Sequence, residues 1–272
     1  MVLKIKTFAN QKPCSFFKAL GHPMIAQRLK ALKNAPLPAI YDPEGHLEDF
    51  LAMTGLETPI HIYVQAIEAL GSKTSLISQI QQDKPKKILI LSFEPEKHLA
   101  QMGHLIPLSC EVVSLKELRL PDEMLTNPNN YLSDLNFSTN FAFFREEDGW
   151  HTRIKSANYW PKYGSKDVKL WAILFDEQGK KLAEWNEALS PSVHSLVIDS
   201  RDVKKRFNLP DFTGQLFIHI SGTHGHSIVK YALDTFHDTG MLSATHDANA
   251  WPSEYFSGLP APRESERVIL WL

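Results

Sequence analysis

The first 120 residues alternate between short apolar runs and longer segments in which apolar positions recur at helical spacing. Four short runs rich in aliphatic side chains lie at 38–42, 60–64, 87–91 and 111–115. Runs of this kind are typical of strands in a buried parallel sheet. Helices are predicted between them at 24–32, 47–53 and 95–102, while 66–81 is a further helical candidate whose pattern is ambiguous. This order predicts a small three-layer α/β unit with a parallel sheet over residues 1–120.

After residue 137 the pattern changes to alternating apolar and polar positions that are interrupted by turn-forming residues. Such alternation predicts strands, which we place at 139–144, 150–157, 168–175, 181–185, 195–199, 216–221, 228–234 and 267–272. Asp148-Gly149 predicts a tight hairpin turn between the first two strands. The strands at 216–221 and 228–234 are expected to form another hairpin. Short strands joined by glycine-containing turns predict an antiparallel β-sandwich or jelly-roll-like domain over residues 138–272.

The segment between the two patterns is rich in Pro, Asn and Asp, which favour turns, and we predict a linker at 121–137. All six tryptophans lie after residue 149, so the composition also changes between the halves. Within the second half, one short helix is expected at 201–207 with Ser200 as its N-cap. The predicted architecture is therefore α+β, with two units of different construction.

Composition and charge exclude several classes of function. The net charge is −2 and the pI is about 6.6, whereas proteins that bind nucleic acids usually carry a basic excess. No run of apolar residues approaches the roughly 20 that a membrane-spanning helix needs. Lysines interrupt the N-terminal residues, which therefore do not read as a signal peptide. With two cysteines only, at positions 14 and 110, we expect a protein of the reducing cytoplasm that binds neither nucleic acid nor membrane.

Five of the twelve histidines fall between residues 219 and 246. His224 and His226 form a His-x-His pair, and either His246 or the adjacent Asp247 could supply the third ligand that a three-ligand metal site requires. Such a set suits zinc or, with two histidines and a carboxylate, ferrous iron. The alternative is that His224 and His226 are solvated turn residues and that the others, His219 and His246, are hydrogen-bonded structural side chains.

The segment that follows concentrates polar and aromatic side chains in a loop. Asp247, Asn249, Trp251 and Tyr255 are candidate ligand-binding residues, because a loop held by prolines on a β-domain can present such groups to a ligand. Trp251 and Tyr255 are suited to stacking on a sugar or a peptide. The alternative is a structural loop that Trp251 anchors to the sheet.

The α/β unit offers a second location, at the carboxyl ends of its predicted strands, where open α/β sheets bind ligands. These ends carry Asp42, Glu44, Gln65, Phe93 and Glu94, and none is followed by a glycine-rich phosphate-binding loop. A nucleotide site of the common kinds is therefore not expected. The acidic side chains could hold a divalent cation, or Asp42 could serve the turn that Pro43 begins.

These observations give a leading functional hypothesis and two alternatives. The leading hypothesis is a ligand-binding or protein-interaction protein that uses loops of the C-terminal β-domain, with a small molecule, a carbohydrate or a protein as partner. The first alternative is a metal-dependent enzyme, a hydrolase, built around the histidine-rich segment. The second is a purely structural subunit of an assembly.

Overall fold

The computed structural model describes residues 15–33, 39–56, 61–65, 74–192, 194–224, 228–246 and 264. They belong to two compact units. The α/β unit comprises described residues within Cys14–Asp122 and Asn127–Ser133, and the β unit comprises those within Glu123–Thr126 and Asp134–Leu272. The segment 121–137 thus contributes residues to both units.

The α/β unit contains the two kinds of element that its sequence pattern predicts. Its strands are β1 (Ala39–Asp42), β2 (His61–Val64), β3 (Ser75–Leu76), β4 (Lys87–Ile90) and β5 (Glu111–Ser114). Its helices are α1 (Ser15–Leu20), α2 (Pro23–Lys33), α3 (Leu47–Thr54), α4 (Ile80–Asp83) and α5 (Pro95–Met102). All neighbouring strands pair parallel, in the order β3-β2-β1-β4-β5. The predicted parallel unit is confirmed, and the described part of the ambiguous segment contains the short β3 and the first two residues of α4.

The strand order reverses next to β1. From β1 the chain continues to β2 and β3 on one side, and it then places β4 and β5 on the other side. Ile40 pairs with Ile62 of β2 and with Leu89 of β4, so β1 is hydrogen-bonded along both edges. The carboxyl ends of β1 and β4 therefore flank the topological switch point, where the connections leave in opposite directions.

Side chains on both faces of this sheet are buried. Tyr41 and Ile90 lie on one face, Ile40 and Leu89 lie on the other, and none is more than 1% exposed. Removing an aliphatic side chain of this size from water contributes roughly 1.5–3 kcal/mol. Burial on both faces explains why these strands are continuous apolar runs in the sequence rather than alternating ones.

The β unit is built from antiparallel strands and one helix. Its strands are β6 (Ser138–Glu147), β7 (Trp150–Ala157), β8 (Val168–Asp176), β9 (Lys181–Leu189), β10 (Ser195–Asp199), β11 (Phe212–Ser221), β12 (Ala232–His237) and β13 (Leu242–His246), and its helix is α6 (Ser200–Phe207). They form one sheet of eight strands in the order β13-β12-β7-β6-β11-β8-β9, with β10 paired to β7. The predicted antiparallel β-domain is confirmed, and its described strands form one sheet.

The sheet changes partners along β7. His151, at the start of β7, pairs with Glu146 of β6, whereas Arg153 and the residues after it pair with β10. A strand that changes partners in this way makes the corner of an antiparallel fold. One apolar core, which includes Phe144, Trp160 and Leu216, collects on the inside of the sheet.

Two local predictions hold or fail for identifiable reasons. The turn between β6 and β7 is confirmed: Asp148 and Gly149 adopt φ values of 51° and 73°, the left-handed pair that such a hairpin requires. The predicted hairpin of 216–221 with 228–234 is wrong. β11 pairs with β6 and β8 along its two edges, and β12 pairs with β7 and β13. No edge of β11 is left for β12.

The N-cap of α6 also differs from the prediction. Asp199 rather than Ser200 caps the helix, because its carboxylate accepts the backbone N–H of Arg201 at 3.0 Å. Ser200 is the first helical residue, and its hydroxyl donates to Glu146. Among the described helices, the longest has 11 residues, and none has the length and apolarity required to cross a bilayer.

Candidate functional site

The structure places only some of the predicted site residues. His224 and His246 lie in the described part of the β unit, and both are exposed. The other candidates, namely His226, Asp247, Asn249, Trp251 and Tyr255, lie outside the described residues. Within the described ranges, no three His, Cys, Asp or Glu side chains are grouped so that they could hold a metal ion. The predicted metal and loop sites therefore stay predictions.

His219 is a structural histidine. It is 1% exposed, and its Nε2 lies 2.8 Å from the carbonyl oxygen of Met124. Its ring stacks on Phe137 at 5.0 Å between centroids and meets Trp171 edge to face at 6.1 Å. This hydrogen-bonded, aromatic environment matches the structural alternative that the sequence left open.

The described residues bring polar side chains together at another place, the carboxyl edge of the parallel sheet. Asp42 ends β1 and folds the chain back over this edge. Its Oδ1 accepts the backbone N–H groups of Gly45 and His46, and its Oδ2 accepts that of Leu47, each at 2.9 Å. Three such bonds satisfy the carboxylate and fix the 42–47 loop. Asp42 is thus the turn residue that one sequence hypothesis proposed.

Glu44, on this loop, is the centre of a hydrogen-bonded cluster. His98 Nε2 lies 2.8 Å from its Oε1, and the hydroxyl of Ser92 donates to the same oxygen at 2.9 Å. His46 Nε2 lies 3.2 Å from its Oε2. The loop after β1 supplies Glu44 and His46, while the segment after β4 and helix α5 supply Ser92 and His98. The cluster therefore spans the switch point between β1 and β4.

The electrostatics of the cluster favour an ionised Glu44. Burial alone would raise the pKa of this carboxyl group, but hydrogen bonds from His46, His98 and Ser92 outweigh burial and lower the pKa to about 2. A carboxylate that accepts this many bonds is held in one orientation. Glu44 is therefore a fixed negative charge at neutral pH.

Aromatic side chains hold both imidazoles in place. The His46 ring stacks on Phe16, with centroids 4.1 Å apart and an interplanar angle of 12°. Phe16 is buried and meets Phe93 in an edge-to-face contact. The ring of His98 meets Tyr41 at 6.5 Å and 89°. Each histidine is thus fixed by one carboxylate contact and one ring contact.

The orientation of the imidazoles decides what they can do. Because an ionised carboxylate only accepts hydrogen bonds, each Nε2 that faces Glu44 carries a proton, and in a neutral ring Nδ1 is then an acceptor. Among the described residues, neither Nδ1 of His46 nor that of His98 has a hydrogen-bond partner. The side chains are 22% and 16% exposed. Both rings can therefore accept a hydrogen bond from a molecule that reaches this edge.

Further polar groups extend the edge towards β2. The hydroxyl of Tyr41 donates to Gln65 Oε1 at 3.3 Å, and the amide of Gln65 donates to Gln101 Oε1 at 3.3 Å. Burial, together with the nearby carboxylate of Asp42, raises the pKa of Tyr41, so its hydroxyl stays protonated. The edge therefore combines two carboxylates, two imidazoles, a serine hydroxyl, a phenol and two amides.

Sequence reasoning identified part of this site. It placed Glu44 and Gln65 at strand ends but missed His46, His98 and Ser92. Two features pointed to the missed residues: His46 lies two positions after Glu44, and His98 lies in the first turns of a helix that directly follows a strand. What the sequence lacked was the strand order that brings the ends of β1 and β4 together.

The sequence matches no known protein family, and a search of curated proteins finds no match either. The function proposed below therefore follows from the geometry of the Glu44 cluster.

Proposed function

We propose that this chain is a ligand-binding protein whose α/β unit binds a small polar molecule at the carboxyl edge of β1 and β4. The observation that carries the proposal is the Glu44 carboxylate, which binds two imidazoles and a serine hydroxyl at the topological switch point. Ligands of open α/β sheets bind in the crevice outside the strand ends at this point.

The cluster is not needed to shape the loop on which it lies. Asp42 alone satisfies three backbone N–H groups of the 42–47 loop. These backbone groups therefore do not require Glu44 or the His46 ring, whose contacts instead build the polar cluster at the strand ends. Ionisable groups with strongly perturbed pKa values occur preferentially at binding and catalytic sites.

The chemistry of the edge favours a neutral or cationic ligand over a phosphorylated one. In nucleotide-binding α/β folds a phosphate occupies the helix N-terminus at the switch point. Here the Glu44 carboxylate is held by Ser92, which precedes α5, and by His98 of α5. Acceptors and donors nearby suit hydroxyl, amine and amide groups, and carbohydrates fall within this class.

The proposal is tested by NMR titration of the full chain with a panel of small polyols, amines, amides, carboxylates and inorganic phosphate. We expect binding of polyol, amine or amide compounds to shift the imidazole signals of His46 and His98, and we expect phosphate to have no effect. His98→Gln should weaken any such binding at least about tenfold, the loss of about one to two buried hydrogen bonds. His104→Gln, a change at an exposed histidine of the same unit, is the matched control.

Two outcomes contradict the proposal. The first is that no compound of the panel shifts the signals of His46 or His98. The second is that compounds bind equally well to His98→Gln and to His104→Gln, which would place the site elsewhere.

The two functional predictions for the β unit are independent of this proposal and remain to be tested. A recognition loop at 245–255 and a metal-dependent hydrolase that uses His224, His226 and His246 both involve residues beyond the described ranges. Elemental analysis of protein purified without an affinity tag tests the second: absence of stoichiometric zinc, iron or manganese removes it. A cytoplasmic location, inferred from the two cysteines, also stays a proposal.

A further inference from the structure

The β unit contains a histidine that lies between two carboxylates. His151 is the second residue of β7 and is 7% exposed. Its Nδ1 lies 2.9 Å from both carboxylate oxygens of Glu146, and its Nε2 lies 2.9 Å from Oδ1 of Asp238. Glu146 belongs to β6, whereas Asp238 belongs to the turn between β12 and β13.

This geometry specifies the protonation state of the ring. A neutral imidazole donates from one nitrogen only, so its other lone pair would face a carboxylate oxygen at hydrogen-bond distance. Only the imidazolium form donates to both partners. Burial by itself lowers the pKa of His151, but the hydrogen bonds with Glu146 and Asp238 outweigh burial and raise it.

The charges around the ring do not reverse this conclusion. The buried Glu146 also accepts the hydroxyl of Ser200 at 2.7 Å, and it interacts electrostatically with Arg201 and Lys204 of α6. Asp238 interacts electrostatically with Arg201 and His237. Arg201 and Lys204 interact with the carboxylates through space, whereas both carboxylates lie within hydrogen-bond distance of the ring itself. The guanidiniums of Arg153 and Arg201 lie over Phe236, whose ring packs on His151 at 5.1 Å.

The two carboxylates differ in exposure, and this difference decides which of them loses its hydrogen bond when the ring is deprotonated. The side chain of Glu146 is 9% exposed and that of Asp238 is 73% exposed. If the ring loses a proton, the buried carboxylate of Glu146 keeps its donor, because leaving a buried acceptor without a donor costs more than leaving an exposed one. The exposed carboxylate loses its donor instead, since water can solvate it.

Asp238 belongs to a turn that rests on the β6–β7 hairpin. Its backbone N–H donates to the carbonyl oxygen of Gly149 at 3.0 Å, and His237 Nε2 lies 3.0 Å from the carbonyl oxygen of Asp148. The turn leads into β13, which is exposed at every residue and, among the described strands, pairs with β12 alone. The ring of His237 also meets Trp150 at 4.8 Å, so the contact between His151 and Asp238 is one of several that hold this turn in place.

We propose that His151 is a proton-operated latch: its imidazolium form ties the β12–β13 turn to the β6–β7 hairpin through Asp238, and loss of the proton from Nε2 releases the turn. Nδ1–H stays on Glu146 in both states. Losing the contact with Asp238 lowers the local order of the turn. The backbone contacts of the turn remain, so β12 stays paired with β7. This inference concerns the β unit and does not depend on the ligand proposed for the α/β unit.

The test combines imidazole NMR with hydrogen exchange of the full chain between pH 5.5 and 9, with exchange rates corrected for their intrinsic pH dependence. We expect His151 to titrate above the ordinary histidine value of about 6.5. Across that titration, protection of the amides at 237–241 should fall about fivefold, the effect of losing one exposed charge-assisted contact. In Asp238→Asn the titration should move to lower pH, and the protection should no longer change with it.

Asp167→Asn is the matched control, because Asp167 is an exposed aspartate of the same unit. It should titrate and exchange like the wild type. The latch is refuted if His151 titrates at or below the ordinary value. It is also refuted if the hydrogen-exchange protection of the amides at 237–241 is unchanged across the titration of His151. A third refuting result is that this protection changes with pH in Asp238→Asn as it does in the wild type.

Discussion

The replacement of Glu44 by Gln tests the electrostatics of the candidate site. The carboxylate of the wild type has its pKa lowered from 4.5 to about 2 by His46, His98 and Ser92. At about 1.4 kcal/mol for each pH unit, this corresponds to about 3 kcal/mol of stability. The side chain is 30% exposed, so solvent screening reduces this value. We expect Glu44→Gln to lower the free energy of unfolding by about 2 kcal/mol at pH 7.

The lowered pKa of Glu44 determines how its contribution to stability changes with pH. A carboxyl group whose pKa is lower in the folded state stabilises the fold fully above its unfolded pKa, and this stabilisation is lost as the pH falls through the folded value. For Glu44 the loss therefore takes place between about pH 4.5 and about pH 2. The difference between wild type and Glu44→Gln should shrink over that range and approach zero at its lower end.

The assay must report on the α/β unit. All six tryptophans lie after residue 149, so tryptophan fluorescence follows the β unit only. Urea unfolding should instead be monitored through the NMR amide signals of Ile40 and Leu89, which pair across β1 and β4. Glu48→Gln, at an exposed acidic residue of α3, is the control and should change the free energy of unfolding by less than about 0.5 kcal/mol. A difference between wild type and Glu44→Gln that stays constant from pH 7 to pH 3 would refute the reasoning.

Two further substitutions test the architecture that supports the sites. Gly222→Ala should destabilise the β unit by at least about 3 kcal/mol in urea unfolding followed by tryptophan fluorescence, because Gly222 has a φ of 74° and an added Cβ would overlap the carbonyl oxygen of Asp167. Gly179→Ala, with a φ of 76° and open space around it, should cost only about 1 kcal/mol, and equal effects of the two changes would contradict the clash. Asp42→Ala should destabilise the α/β unit by about 2–3 kcal/mol, since three backbone N–H groups lose their acceptor. It should also shift the imidazole signals of His46 and His98, and unchanged signals would show that the loop is held by other contacts.

The sequence predicted the positions of the strands better than which strands pair with each other. Buried parallel strands are continuous apolar runs, and β4 and β5 were therefore found within one residue of their ends. Alternation along β11 predicted a strand but not its partners, and the predicted hairpin with β12 was wrong. Most residues of β11 are buried, on both faces of the sheet, a pattern typical of a central strand with two neighbours. Partner choice depends on which edges the rest of the chain has already used.

The candidate site shows the same limit. Asp42 and Glu44 could be placed at a strand end from the local pattern, because strand ends are visible in the sequence. His98 could not be joined to them, since its distance from Glu44 depends on β4 lying beside β1 rather than at the edge of the sheet. The N-cap prediction for α6 was wrong because Asp199 and Ser200 are both good caps by residue type. In the structure Asp199 caps the helix, while the hydroxyl of Ser200 donates to the buried Glu146, a tertiary contact that the local sequence does not reveal.

Crystals of the full chain soaked one at a time with small polar fragments, including polyols, amines and amides, provide the most direct test of ligand binding at the carboxyl edge of β1 and β4. Chemically unrelated fragments should lie within hydrogen-bond distance of His46, His98 or Gln65. If fragments bind the protein elsewhere while this edge carries none of them, the proposed site is contradicted.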